Sequence, residues 1–254
     1  MNRIKAKFKS LDRTALVTFI MAGDPGAAES MEILKGLPTA GADLIEIGMP
    51  FTDPAADGVS IQKAGQRALA AGMTLKGTLD MVSLFRESDN ETPIILMGYT
   101  NPLYAYGLED FARDASQAGV DGLIIVDLPP EEDGVLREHV DQYGLNIIRL
   151  VTPVTDDARL QVVLDGASGF LYYVSITGVT GTAKADFNDL KPHLEAIREQ
   201  TDLPIAIGFG IKTPEDAKAM SEIGDAIVVG SAIVDRAHDM QETLDFVGSL
   251  SSAL

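Results

Sequence analysis

Apolar and β-branched residues fall into eight short runs along the chain, at 15–21, 43–48, 93–98, 121–126, 145–151, 169–174, 204–208 and 225–229. Their length suits buried strands rather than helices. Between them lie stretches whose apolar residues recur at helical spacing, such as 108–117, 131–142, 187–199 and 213–223. Alternation of strand and helix sustained eight times predicts a parallel sheet. Eight units predict closure into a (β/α)8 TIM barrel, with a doubly wound open sheet as the rival. The basic start, residues 1–9, reads as a short N-terminal helix before the first strand. The motif Leu11-Asp12-Arg13-Thr14 separates it from the apolar run that follows, and Gly23-Asp24-Pro25 stands where a secretion signal would need a small-residue cleavage site. Three segments echo one another: Ala40-Gly41-Ala42-Asp43, Ala118-Gly119-Val120-Asp121 and Ile223-Gly224-Asp225. Each sets a glycine at a helix end, then an aspartate, then a strand, as a repeated βα unit would. No linker or low-complexity tract divides the chain, so residues 1–254 read as one barrel domain.

Catalytic groups of such barrels come from the C-terminal ends of strands and the loops that follow. Ile45-Glu46-Ile47-Gly48 puts a carboxylate inside an apolar strand. If Ile45 and Ile47 face the helices, alternation turns Glu46 into the barrel mouth. There it is either a general acid–base made weak by desolvation or a buried glutamate satisfied by a structural partner. The loop Met49-Pro50-Phe51-Thr52-Asp53-Pro54-Ala55-Ala56-Asp57-Gly58 adds Asp57 in the same βα unit, as a second functional carboxylate or a turn residue. Tyr172, late in the sixth strand, either reaches the same mouth or packs against the core. Glycine-bearing loops follow the last strands: 177–181, Gly208-Phe209-Gly210 and Gly230-Ser231-Ala232. Their amides suit a phosphate, and Ser231 adds a hydroxyl or caps a helix.

Composition then narrows the chemistry. The net charge of −18, from 38 acidic and 20 basic residues, disfavours nucleic acid or an anionic membrane as partner. An anionic substrate must therefore be held locally, which amide cradles do without a lysine cluster. There is no cysteine, which removes disulfides and thiol nucleophiles, and no apolar run approaches a membrane span. None of the eight runs contains lysine, which disfavours a Schiff-base aldolase. His139, His193 and His238 fall in or beside helical stretches, where surface positions are expected, so a histidine metal site is not expected. Proton transfer by carboxylates on a phosphorylated substrate remains.

Residues 45–58 resemble the signature of the α-subunit family of tryptophan synthase. The likeness continues through 19–26, 97–101, 178–181, 208–210 and 230–234, in the family's order. The resemblance implies a cytoplasmic lyase of tryptophan biosynthesis that cleaves indole-3-glycerol phosphate to indole and glyceraldehyde 3-phosphate. It implies no metal or cofactor in this subunit. By position, Glu46 is the acid–base, Asp57 stabilises charge on the indole nitrogen, and Tyr172 lines the site. Phe19 and Met97 lie against the ring, Gly181, Gly210, Gly230 and Ser231 hold the phosphate, and Thr180 belongs to a long closing loop after the sixth strand. The partner implied is a β subunit carrying pyridoxal phosphate, in an α2β2 heterotetramer. It would dock on an edge formed by Pro50, Asp53, Pro54, Asn101, Pro102 and Pro129, with Phe51 beside them. Met49, Thr52, Gly98 and Ile176 depart from the family's commoner residues, and Gly98 bears on packing beneath the substrate. Two other readings compete: a phosphate-binding barrel isomerase, and a non-catalytic subunit that senses a phosphorylated ligand.

Overall fold

The computed structural model describes residues 2–174, 187–208 and 210–254, with the side chains of 187–189 left aside. The apolar runs become β1 (Ala15–Met21), β2 (Leu44–Gly48), β3 (Ile94–Gly98), β4 (Gly122–Ile125), β5 (Asn146–Ile147), β6 (Arg149–Val151), β7 (Leu171–Val174), β8 (Ile205–Gly208) and β9 (Ala226–Val229). The fifth run is broken at Ile148: β5 pairs with β4, and β6 pairs with β7. Together they form the fifth barrel strand. Because β1 pairs with both β2 and β9, and every ladder is parallel, the ring is that of a (β/α)8 TIM barrel. Helices follow where the spacing predicts them, at Leu108–Ala118, Phe187–Arg198 and Pro214–Ser221. The stretch 131–142 differs, forming a 3-10 turn, Pro130–Glu132, and then a helix, Gly134–Gln142. Between them Asp133 is buried and ion-paired to Arg149 on β6, which interrupts a continuous helix.

Alternation along the strands builds two cores. Val17, Leu44, Ile95, Ile124, Ile148, Phe170, Ala206 and Val228 fill the barrel interior. Ile4 of the helix Arg3–Ser10 closes its base, with Phe8 tilted against Phe170 at 6.0 Å between centroids. The intervening residues, Leu16, Ile20, Ile45, Ile47, Leu96 and Ile207 among them, bury the helices' apolar faces in the outer core.

The three echoing segments share one device. Each aspartate donates its backbone N–H to the carbonyl of a residue on the preceding strand: Asp43 to Leu16 (2.8 Å), Asp121 to Ile94 (2.8 Å), Asp225 to Ile205 (3.0 Å). Its side chain accepts the N–H of that same residue, at 2.8 Å in all three cases. An arginine completes each clamp, Arg13, Arg86 and Arg198 respectively. Strand register is thus pinned at the N-terminal ends. Gly41 and Gly119, at φ +107° and +93°, end the preceding helices in a left-handed turn that brings the chain into the clamp.

The clamps differ in burial. Asp121 and Arg86 are 7% and 8% exposed, whereas the Arg198–Asp225 pair is solvent-accessible. Asp121→Ala takes the near carboxylate from buried Arg86, leaving it Asp89 at 3.9 Å, and urea unfolding should show a loss of about 3–5 kcal/mol. Asp225→Ala should lose only about 1–2 kcal/mol, mostly from the backbone bond.

Candidate active site

Strand β2 turns Leu44 and Glu46 into the barrel, as alternation predicts. Glu46 lies level with Phe19 on β1 and Ile95 on β3. It is 0% exposed, and neither carboxylate oxygen has a hydrogen-bond partner among the described residues. Burial alone raises its pKa to about 8. Aromatic rings wall this position, and glycines at strand ends make room for them. A Cβ at Gly48 would stand 2.6 Å from the tip of Phe19, and one at Gly208 would stand 2.6 Å from the Tyr172 hydroxyl. Tyr172 is near enough to Glu46 for that carboxyl's charge to add to burial in holding its phenol well above the ordinary range. Glu46, Phe19 and Tyr172 thus meet at one mouth.

The loop after β2 carries Asp57 in a turn whose N–H donates to the Pro54 carbonyl, 3.1 Å away. Asp57 is half-buried, and its Oδ1 accepts from the hydroxyl of Tyr99 at 2.9 Å. Burial pushes the Asp57 pKa up, and the Tyr99 hydrogen bond offsets part of that rise. Tyr99 also accepts the N–H of Ala56 at 3.0 Å, and its ring packs on Phe51, centroids 5.3 Å apart. One buried phenol therefore sets the loop and orients its carboxylate. Sequence reasoning misses this role, because Tyr99 lies just past the end of β3, where strand alternation no longer says which way it points. The helix Val59–Ala70 that follows the loop is tied to the loop after β1 by Arg67, which donates to both oxygens of Asp24 at 2.6 and 2.9 Å.

Met97 is half-buried and packs with both the barrel interior and the group around Phe19. Gly210 follows β8 at φ +60°, exposed. Gly230 opens the short helix Ser231–Val234, with Phe19 beneath it, 3.5 Å from where a Cβ would sit. Ser231 is exposed, and the first N–H groups of a helix have no acceptor within it. Thr180 and Gly181, with the closing loop, lie outside the described residues. On the docking edge, Asp53, Asn101 and Pro129 are exposed and Pro54 and Pro102 half-buried, but Pro50 is buried within the chain. The two departures Met49 and Gly98 fit together: a Cβ at Gly98 would lie 2.6 Å from the Met49 side chain, so methionine fills the space that glycine vacates. That contact belongs to the outer core, not to the mouth.

The expectation of surface histidines needs correction. Only His238 is exposed. His193 is half-buried, bridging the Tyr173 hydroxyl (3.0 Å) and the Thr155 carbonyl (3.1 Å), and His139 is half-buried. A polar position in a helical stretch faced the barrel because Tyr173, outward on β7, needs a partner for its buried hydroxyl. Among the described residues, no cluster of histidines and carboxylates could hold a metal ion.

The family model of the tryptophan synthase alpha chain matches residues 5–248. The chain is 55% identical to the tryptophan synthase alpha chain of Phenylobacterium zucineum, over 99% of this chain and 95% of that one. It is also 55% identical to that of Caulobacter vibrioides, over 92% and 86%. Its backbone is similar to the crystal structure of tryptophan synthase subunit alpha from Legionella pneumophila, with TM-score 0.93, 38% identity, and coverage of 100% and 98%.

The raised pKa of Glu46 has a signed consequence for stability. Between the ordinary glutamate value of 4.5 and about 8, the folded chain keeps a proton that the unfolded chain releases, so stability falls as pH rises through that window. Glu46→Gln removes the titration. Denaturant unfolding at pH 4 and pH 8 should show the variant gaining on the wild type by roughly 2–4 kcal/mol across the interval. A difference that does not change with pH would mean that Glu46 is ionised when folded.

Proposed function

Because this chain belongs to the tryptophan synthase alpha chain family, we propose that it cleaves indole-3-glycerol phosphate to indole and glyceraldehyde 3-phosphate, the α reaction of tryptophan biosynthesis. The observation that carries the reading at the level of residues is Glu46, a carboxyl buried at the barrel mouth without a partner among the described residues, its pKa raised by burial to about 8. A protonated Glu46 gives its proton to the indole ring carbon at the scissile bond, and the ring becomes an imine-like electron sink. The Glu46 carboxylate then accepts the proton of the adjacent side-chain hydroxyl. The carbon–carbon bond breaks as that oxygen becomes the aldehyde, and its electron pair returns to the ring, releasing indole. No lysine or metal is needed to store the electrons.

Asp57 supports the sink. With Oδ1 held by Tyr99, its other oxygen is available to accept the indole N–H as positive charge develops there. Tyr172, kept as a neutral phenol, and Phe19 line the ring's pocket with Met97. The phosphate is assigned to the amides of Gly181, Gly210 and Gly230 and to Ser231, with Thr180 in the loop that closes over it. Backbone amides and a helix N-terminus attract an anion without lysine, which reconciles the substrate with an acidic chain. The rival isomerase reading does not need Glu46 and Asp57, and a sensing subunit would not turn over. Indole release by the isolated chain separates the lyase from both rivals.

The partner in this reading is a β subunit that holds pyridoxal phosphate and consumes the indole, in an α2β2 complex. Asp53, Asn101 and Pro129 form the exposed part of the edge assigned to it. A cytoplasmic setting accords with the absence of cysteine, and no helix among the described residues is long and apolar enough to cross a membrane.

An indole-release assay tests the catalytic assignment. Glu46→Gln should slow turnover by on the order of 100-fold or more, and Asp57→Asn should also be severely slowed, with folding intact by circular dichroism. Near-wild-type rates in folded Glu46→Gln would overturn the assignment. Gly210→Val or Gly230→Val should weaken binding of glycerol phosphate by at least tenfold while indole binding changes little, and equal losses would indicate general damage. Asp53→Ala should reduce activation by a cognate β subunit more than it reduces basal activity. Failure to form a complex at micromolar concentration, with ligands on both sides, would leave a free-standing lyase.

A further inference from the structure

Tyr99 stands just before the helix Thr100–Tyr106, in the capping position. A serine, threonine, asparagine or aspartate there would cap the helix with its own side chain. Tyr99 makes no such cap. Its side chain serves the neighbouring loop instead: the residue is 4% exposed, and its hydroxyl donates to Asp57 at 2.9 Å and accepts the Ala56 N–H at 3.0 Å. The cap comes from elsewhere in the chain. Oδ1 of Asp127, just past the end of β4, accepts the Thr100 N–H at 2.8 Å and the Thr100 hydroxyl at 2.7 Å.

The residue before Asp127 secures the other side of Tyr99. The Val126 N–H donates to the Gly98 carbonyl at 3.0 Å, one step beyond Gly98 and Ile125, the last paired residues of β3 and β4. Tyr99 is thus bracketed, with Gly98 held by Val126 and Thr100 held by Asp127. Thr100 is tied through backbone and side chain to one carboxylate oxygen, which fixes its orientation as a single bond would not. With the backbone set on both sides, the direction in which the phenol leaves the chain is set as well. The device resembles the clamps at the N-terminal ends of the strands, where an aspartate also accepts an N–H from the strand before it. Here it recurs at the C-terminal end, beside the chemistry.

We propose that Asp127 is a positioning residue for the lyase reaction: by holding Thr100 it aims the Tyr99 hydroxyl at Asp57 and keeps that carboxylate oriented for the indole N–H. Its effect on turnover rests on the lyase reading, but the link from Asp127 through Tyr99 to Asp57 belongs to the chain alone and is measurable without substrate. An aspartate that served only to cap the helix would leave Asp57 untouched.

Carboxyl carbon nuclear magnetic resonance of aspartate-labelled protein tests the link, with the Asp57 signal identified by its loss in Asp57→Asn. The bond from Tyr99 favours ionised Asp57, so losing it raises the Asp57 pKa. Tyr99→Phe should raise that pKa by about 0.3 or more, and Asp127→Ala should move it in the same direction. Asp127→Asn, whose amide oxygen still accepts both Thr100 bonds, should restore the wild-type value. In the Tyr99→Phe background Asp127→Ala should add nothing, because the two residues act in series. In the indole-release assay Asp127→Ala should lower kcat about fivefold or more with KM within about twofold, and Asp127→Asn should recover most of the loss. If Asp127→Ala fails to fold, Thr100→Val removes one of the two bonds, keeps the other, and carries the same expectation at smaller size. An Asp57 pKa that stays fixed in the folded variants, or that moves equally with and without the Tyr99 hydroxyl, would overturn the proposal. The expected pKa changes in a chain that releases no indole would uphold the link and overturn the lyase reading instead.

Discussion

A carboxyl group buried in the barrel with no hydrogen-bond partner among the described residues is the constraint around which this barrel is arranged. Closure of a parallel sheet sends every second strand residue inward, and Val17, Leu44, Ile95, Ile124 and Val228 are among the aliphatic residues that fill those positions. Glu46 takes one such position where an aliphatic residue would fit and would be more stable. The chain tolerates it because protonation removes the charge, and because the barrel is secured elsewhere. The contrast runs along a single strand. Asp43, just before β2, has its carboxylate held by Arg13 and the Leu16 N–H, whereas Glu46, three residues on, has neither cation nor amide bonded to it among the described residues. One end of the strand is built for stability and the other for chemistry, the division that this architecture makes generally.

The sequence made the alternation legible, and alternation was enough to place Glu46. It also marked the three aspartate segments as repeats, although their recurrence alone could not show that each side chain folds back on the strand before it. Apolar runs overshoot the strands by a residue or two for the same reason: Asp121 and Asp225 close the turn ahead of β4 and β9 rather than lying within them. Features that depend on contact across the chain were not legible. The break in the fifth strand is foreshadowed only by Arg149 inside an apolar run, and its cause, Asp133, lies sixteen residues earlier. Tyr99 is silent for a related reason, since its partner Asp57 sits 42 residues away on another loop.

Met49 and Gly98 show how such contacts change the meaning of a sequence departure. Taken singly, each looks like a defect, a larger residue in one place and a missing side chain in another. In the fold they are one exchange of volume, since the methionine occupies the space a Cβ at Gly98 would need. Cores tolerate volume-conserving exchanges far better than either half alone. Because Gly98 faces the helices, the exchange leaves the neighbouring Met97, which faces inward, unaltered in its packing against the mouth.

The two carboxyl groups of the mouth are separated in character by environment rather than by type. Glu46 is fully enclosed, and desolvation alone acts on it. Asp57 is half-buried, and Tyr99, just past the end of β3, supplies a phenol that favours the ionised form against the pull of burial. One group is thereby kept as an acid and the other is shifted less far toward it, a division of labour that acid–base sites use where two like residues must act oppositely. Neither setting would survive alone. Without Tyr99 to hold it, Asp57 would lose the bond that favours its charge. Without the rings of Phe19 and Tyr172, and the glycines that admit them, water would reach Glu46 and return it to the ordinary carboxylate range. The glycines at 48 and 208 therefore act on proton affinity through space they leave empty, a link from backbone to chemistry that passes through packing alone.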